Sequence, residues 1–425
     1  MGIFTLLYLV GYFTITSGCY NGRNRGLEYV PTDIPLNVSV ILLRNNEIDS
    51  LPVGTFENYV DLLSLEMGGN NLMDISPSAF KGTKLEFLYL DRNSLTTFPD
   101  LSEIGHCLKE LYLAYNDITE VSTNHISSLT VLKLLDLTGN NKLPKGLPFK
   151  SGFNNLLVLN LMDTRMTEIN DELTNLQIPN LWISNGGFSG GISDLHFTGT
   201  KVNALLLRSM GLHTFPIFPN LARGIKMLDL TDNSFIEPLG DDDLGQLESI
   251  SKLVLKKCHI MKFPDVTSLN KTLKELNVEM NSITTIPSNA LDEMSRLDIL
   301  RISNNPLQNF PSFAIRIKTL KSLYMERTNF VFSCQHASHF DSLGVIDLSD
   351  NSLDSIGALQ CLNSPTRHVI LKDNNISVIH IAGLPFLKTL QTINLHNNPI
   401  QCLSKINLKA KMISEIVAKE ALKPF

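Results

Sequence analysis

Cysteine is scarce: six in 425 residues, too few and too scattered for the disulfide framework that replaces a core in small secreted folds. Tryptophan occurs once, at Trp182. The net charge is −6, and no run of lysine and arginine is long enough to form the basic footprint of a nucleic-acid binder, so nucleic acid is not an expected partner. Long helical patterns are few, which argues against an all-helical solenoid. After the first eighteen residues no apolar stretch approaches the ~20 residues that cross a bilayer, and no membrane span is expected beyond that point. A Gly-rich phosphate loop and a nucleophile elbow are both missing. These absences point to binding without chemistry, with no catalytic residue, no metal and no cofactor.

What fills the chain is one repeated pattern. Residues 108–121, LKELYLAYNDITEV, place Leu108, Leu111, Leu113, Ile118 and Val121 around Asn116 in the frame L-x-x-L-x-L-x-x-N-x-L. The frame returns as TLKELNVEMNSITTIP from Thr272, LGVIDLSDNSLDSI from Leu343 and LQTINLHNNPI from Leu390. Sixteen copies, 22 to 25 residues apart and without insertion, have their first apolar positions between Val38 and Leu390. This is the leucine-rich repeat frame. Leu111 and Leu113 alternate with Tyr112 and Ala114, so each copy carries a short strand with one buried side. A single coil cannot stand alone. Its apolar side chains stabilise by about 1.5–3 kcal/mol each, which is offset by ordering some 23 residues at roughly 1–2 kcal/mol apiece. Stacking must supply the remainder. Wider returns outside close-packed parallel strands would force curvature. The expected fold is an α/β solenoid, a leucine-rich repeat horseshoe of about 16 repeats. Its parallel β-sheet would lie on the concave face, with mostly irregular or short helical returns on the convex side.

Residues 1–18, MGIFTLLYLVGYFTITSG, carry no charged side chain and end in small residues. They read as a secretory signal peptide cleaved near Thr16, Ser17 and Gly18, with an uncleaved N-terminal anchor as the alternative. GLEYVPTDIP, from Gly26, resembles the end of the N-terminal cap of extracellular leucine-rich repeat proteins such as Slit, Toll-type receptors and the small leucine-rich proteoglycans. Those caps hold several cysteines, whereas only Cys19 stands here, so residues 19–37 form a degenerate cap that must still cover the first strand edge. The solenoid occupies 38–403. Asn398 and Pro399 followed by Cys402 begin like the family's C-terminal cap. Ile406, Met412, Ile413, Ile416 and Val417 then suggest that 404–425 is a short helical cap; either the cap is reduced or the sequence stops early. The resemblance implies a secreted or cell-surface binding protein that takes a protein, glycan or lipid-bearing ligand on its concave face, in adhesion, matrix organisation or innate recognition. A receptor ectodomain or soluble decoy, and a non-catalytic subunit of a secreted enzyme complex, are the alternatives.

The polar slot is asparagine at Asn46, Asn70, Asn93, Asn116, Asn140, Asn233, Asn281, Asn305, Asn351, Asn374 and Asn398. A side-chain amide has donors and an acceptor together, so stacked copies would form a hydrogen-bonded ladder. Thr164, Gly186 and Met210 interrupt it in three consecutive repeats, close to Trp182 and the NGGFSGG run. This is either a local opening for ligand or ordinary decay of the repeat. Phe56, Phe80, Ile126 and Leu291 share an apolar slot on the returns, and Pro52, Pro99, Pro216, Pro264, Pro287 and Pro311 mark extended return segments. Exposed on the concave face, the frame places Phe87, Tyr89, Asp91, Arg92, Tyr112, Tyr115 and Asp136, and farther along Trp182, Arg208, Glu279, Arg301, Tyr324 and Glu326. Aromatic residues with charged neighbours are the usual anchors of protein interfaces.

Cys258 occupies a ladder slot as a buried thiol, and Cys334 is the candidate partner for Cys361 one repeat later. Cys107 and Cys402 have no obvious mates. Cys334, His336 and His339 lack a fourth ligand for zinc, and Asp241, Asp242 and Asp243 read as a solvated loop rather than a calcium site. Glycosylation sequons stand at Asn37, Asn270 and Asn375.

Overall fold

In a computed structural model, the described residues are 18–144, 147, 153, 155–166, 173–186, 192, 197–308, 318–329, 332–379, 385–386 and 388–403. Residues 1–17 of the expected leader, Pro311 and the expected cap at 404–425 lie outside them. The chain divides into two compact units, residues 1–186 with 198–201, and 187–197 with 202–425.

In the first unit, strands β1 (Gly18–Asn21), β2 (Val38–Leu42), β3 (Ser64–Glu66), β4 (Phe87–Tyr89), β5 (Glu110–Tyr112), β6 (Leu134–Asp136), β7 (Val158–Leu161) and β8 (Asn180–Ser184) pair in parallel, each with the next. The second unit runs the same way through β9 (Ala204–Arg208), β10 (Met227–Asp229), β11 (Lys252–Val254), β12 (Glu275–Asn277), β13 (Ile299–Arg301), β14 (Ser322–Tyr324), β15 (Val345–Asp347), β16 (His368–Ile370) and β17 (Thr392–Asn394). Every repeat thus supplies one strand, and the leucine-rich repeat solenoid read from the spacing is the fold. Gly18, at the expected cleavage point, belongs to β1, which covers the edge of β2 that the degenerate cap had to protect.

The strand leucines Leu65, Leu88, Leu111, Leu135 and Leu159 stack at 0% exposure in the first unit, as Leu228, Leu253, Leu276, Leu300 and Leu323 do in the second. Behind them lie the return residues. Phe56 and Phe80 are fully buried with ring centroids 5.8 Å apart, and Ile126 and Leu291 fill the same slot. Helical returns are short, among them Thr123–Ser127, Pro219–Ala222, Asp241–Leu244 and Cys334–Ala337. The described prolines of the return series, from Pro52 to Pro287, all lie outside helices.

The asparagine ladder has a fixed wiring. Asn70 Nδ2 donates to Met67 O of its own coil and to Leu43 O of the coil before, both at 2.9 Å, while its Oδ1 accepts from Ile48 N at 3.2 Å. Asn93, Asn116, Asn281 and Asn398 repeat this pattern, and all eleven ladder asparagines are at most 8% exposed. Where asparagine is lost the wiring thins. Among the described residues Thr164 Oγ1 keeps the bond to its own coil, to Leu161 O at 2.8 Å, and Met210 is buried with no amide to offer. Cys258 sits there as a buried thiol, Sγ 3.1 Å from Leu230 O, its pKa pushed up to about 12 by burial.

The residue before the ladder position was not anticipated. It takes a positive φ, between 50° and 72°, in all sixteen repeats: Asn45, Gly69, Arg92, Tyr115, Gly139, Asp163, Asn185, Ser209, Asp232, Lys257, Met280, Asn304, Arg327, Asp350, Asp373 and Asn397. The left-handed turn swings the chain off the strand and drops the asparagine into the coil interior. Ten of the sixteen are glycine, asparagine or aspartate, the residues that visit this region at least cost.

Candidate binding face

With the leucines packed inward, residues i±1 of each strand form the opposite face of the sheet. In the first unit the register aligns Glu66, Tyr89, Tyr112, Asp136 and Asn160 in one row, and Ser64, Phe87, Glu110, Leu134 and Val158 in the next. Tyr89 and Tyr112 stack with ring centroids 4.6 Å apart and planes 9° from parallel. The Tyr112 hydroxyl donates to Glu110 Oε2 at 2.8 Å, and Asp136 Oδ1 accepts from Thr138 N and Thr138 Oγ1 at 2.9 and 2.6 Å. Burial raises the carboxyl pKa of Glu110 against the opposing effects of Tyr112 and Lys133. Burial, with the charge of Asp91 added, also raises that of Asp136 against its Thr138 bonds.

Asp91 lies two residues past Tyr89, where Arg44 reaches it from two coils away through Nη1 at 3.0 Å and Nη2 at 2.6 Å. The reach depends on Gly68 between them, since a Cβ there would stand 2.5 Å from both Arg44 Nη1 and Asp91 Oδ1. Gly68→Ala is therefore expected to break the bridge at a cost of about 1 kcal/mol, the pair being partly solvated. In a double-mutant cycle of unfolding free energies, Arg44→Ala should add nothing once alanine is at 68. An undiminished effect of Arg44→Ala would show that the bridge survives.

The pH dependence of Asp136 has a definite sign. A carboxyl whose folded pKa lies above its unfolded value contributes stability while protonated and loses it as pH rises through the folded value. Asp136→Asn should therefore unfold later than the wild type at pH 7, with the gain vanishing below about pH 4. Equal urea midpoints at both pH values would refute this.

The other expected residues are placed unequally. Arg92 and Tyr115 occupy left-handed positions at the strand ends, with the Arg92 guanidinium 4.8 Å from the Tyr115 ring centroid and Tyr115 46% exposed. Trp182 is a correction. Expected in solvent, it is 7% exposed, because alternation fails in β8, where Leu181, Trp182, Ile183 and Ser184 are all buried. Arg208 lies over the buried Asp229, its Nε 2.9 Å from Oδ2. In the second unit Arg301 sits 4.1 Å above the Tyr324 ring and 3.3 Å from Glu275, which also meets Lys252 at 3.0 Å. Glu279 pairs with Lys256 at 3.2 Å, and Glu326 is half-buried one turn past Tyr324.

Sequence reading missed Glu66, Glu110, Arg44, Glu275, Lys252 and Lys256. Their frame positions flag most of them, since Glu66 stands in register with Tyr89 and Glu275 with Arg301's neighbour Ile299. Cys334 and Cys361 are joined in a disulfide with Cα atoms 5.2 Å apart, which removes Cys334 as a thiolate ligand. Asn37 and Asn375 are exposed, while Asn270 is half-buried with Nδ2 3.3 Å from Glu293 Oε2. No helix among the described residues is long and apolar enough to cross a membrane.

Comparison with known proteins places these features among relatives. A leucine rich repeat family model matches residues 37–95. Tsukushi of Gallus gallus is 27% identical over 313 residues, 66% of this chain and 82% of its own. Keratocan of Mus musculus is 34% identical over 145 residues, covering 33% of this chain and 40% of keratocan. CD180 antigen of Mus musculus is 24% identical over 439 residues, 96% of this chain but 61% of CD180. The chain thus spans less than two thirds of keratocan and of CD180. Among solved structures, a leucine-rich repeat protein of Leptospira interrogans superposes with a TM-score of 0.54 at 20% identity, covering 87% of this chain and 92% of its own.

Proposed function

From the premise that this chain is a leucine-rich repeat protein similar to the small leucine-rich proteoglycans and Toll-like ectodomains, we propose that it is a secreted, non-enzymatic binding protein. It recognises a protein ligand through the sheet face opposite the leucine core, in matrix organisation or innate recognition. The observation that carries this reading is the row of half-buried aromatic and charged side chains on that face, Glu66, Tyr89, Tyr112 and Asp136, set in fixed register on rigid strands. Aromatic anchors ringed by ionic groups are what interface hot spots consist of. A glycan or lipid-bearing ligand remains the lesser alternative; a polyanion such as nucleic acid would meet like charge on this face. In this reading the leader is cleaved, and Asn37, Asn270 and Asn375 carry glycans, detectable as a mass lost on enzymatic deglycosylation.

The test is positional. A photocrosslinking residue at Ser64 or Val158, on the face, is expected to capture a discrete partner from extracellular fluid, and the same residue at Ser50 or Asp61, on the returns, is not. Capture from the return positions alone would move binding off the face. The alignment with CD180 over 96% of this chain favours a receptor-type ectodomain as the second reading.

A further inference from the structure

The tyrosine stack has an inner and an outer surface. Tyr89 covers one side of the Tyr112 ring, and the other side faces β6, where Asp136 stands in register. Glu110 approaches the same ring from its edge, through the hydroxyl. The acids around the stack are not equally neutralised. Glu66 is paired with Arg23 and Asp91 with Arg44, but among the described residues Glu110 and Asp136 enter no ion pair, and no cation lies over Tyr112. Elsewhere the chain seats its own guanidinium groups on tyrosine, Arg301 on Tyr324 at 4.1 Å and Arg92 on Tyr115 at 4.8 Å. At Tyr112 the ring and the carboxylates are assembled without the cation.

We propose that Tyr112, Asp136 and Glu110 form a receptor for the cationic head of an arginine or lysine side chain presented by a basic segment of a protein partner. The inference rests on the sheet face being the binding surface and names the chemistry that one part of it selects. A guanidinium laid on the sheet face against the Tyr112 ring and Asp136 gains ring attraction and an ion pair together in a partly desolvated site, where each is stronger than in bulk water. It also relieves two carboxylates that carry a desolvation penalty, so the groups least comfortable in the unbound protein are those the ligand completes. The other charges facing this point are Asp91, already bridged by Arg44, and Lys133, which acts on Glu110. Acidification protonates Glu110 and Asp136 above the ordinary carboxylate range and should release the ligand.

The experiment is a calorimetric titration of the full chain with a twelve-residue peptide of alternating arginine and serine, and with the same peptide carrying citrulline for arginine. The arginine peptide should bind, more weakly as salt rises. The citrulline peptide, Asp136→Asn and Tyr112→Leu should each lower affinity about tenfold or more. Tyr29→Leu, at an exposed tyrosine outside the strands, should leave it unchanged. A urea midpoint for Asp136→Asn at or above that of the wild type at pH 7 separates its loss of binding from misfolding. Equal binding of the citrulline peptide, undiminished binding by both site variants, or no binding of the arginine peptide to the wild type would overturn the inference. If Ser64 or Val158 still crosslinks a partner in any of those cases, the face remains a binding surface and only its cation selectivity is refuted.

Discussion

Replacing Phe80 with alanine should lower the unfolding free energy of the first unit by about 3–5 kcal/mol. The ring is fully buried, stacked on Phe56, whose other contact is the edge of Tyr59 at 6.1 Å. The backbone of neither neighbour is free to move into the space: Phe56 N donates to Ala79 O of the next coil at 2.9 Å, and Tyr59 N to Phe56 O within its own coil at 3.0 Å. The vacancy therefore persists, and its cost adds to the lost transfer free energy. Since each coil leans only on its neighbours, the damage should be regional. Hydrogen exchange should accelerate at the amides of Phe56 and Thr83 and remain slow at Leu137. A loss below about 1 kcal/mol, or acceleration spread evenly over the unit, would show that the return layer collapses to fill the gap.

Asn116→Leu should cost roughly 1–3 kcal/mol, the penalty of one orphaned buried group rather than of three. The reason lies in the sharing of acceptors. Leu113 O retains the amide of Asn140 and Leu90 O retains that of Asn93, so only Leu95 N is left without an acceptor. Adding Asn93→Leu removes the second donor from Leu90 O as well. The double variant should cost about 1 kcal/mol more than the sum of the two single variants, whereas Asn116→Leu combined with Asn305→Leu, in the other unit, should be additive. Denaturant midpoints of the two single variants and the two pairs decide the matter. Strict additivity for the adjacent pair would mean that water reaches the orphaned carbonyl.

The contrast between what was legible and what was not follows from periodicity. Leu88, Leu111 and Leu135 recur at a spacing that admits one strand per coil, and Asn93 and Asn116 recur at the one place where a buried turn needs an amide. Such features repeat and are readable from a single chain. Others depend on the tertiary neighbour. Gly68 is silent until Arg44 and Asp91 are seen to meet across it, and the burial of Trp182 follows from a strand in which both faces are covered. The left-handed residue escaped attention because arginine, tyrosine and methionine stand there in Arg92, Tyr115 and Met280, masking the glycine and asparagine signature of the other coils. Half of the candidate face was visible. Tyr89, Tyr112 and Asp136 declare themselves by frame position and chemistry, while Glu110 matters through its depth and its bond to the Tyr112 hydroxyl, which no local pattern encodes.

The wiring of the asparagines also has a direction. Each amide oxygen takes an N–H belonging to the preceding coil, and one of its hydrogens returns to a carbonyl of that same coil, as Asn374 does for Leu353 N and Leu348 O. In this ladder the groups a coil leaves open are met by the amide of its successor. For a nascent chain leaving the ribosome from its amino end, that order coincides with the order of synthesis. Each newly emerged segment seals the one before it, so at any moment a single unfinished turn is exposed at the growing tip.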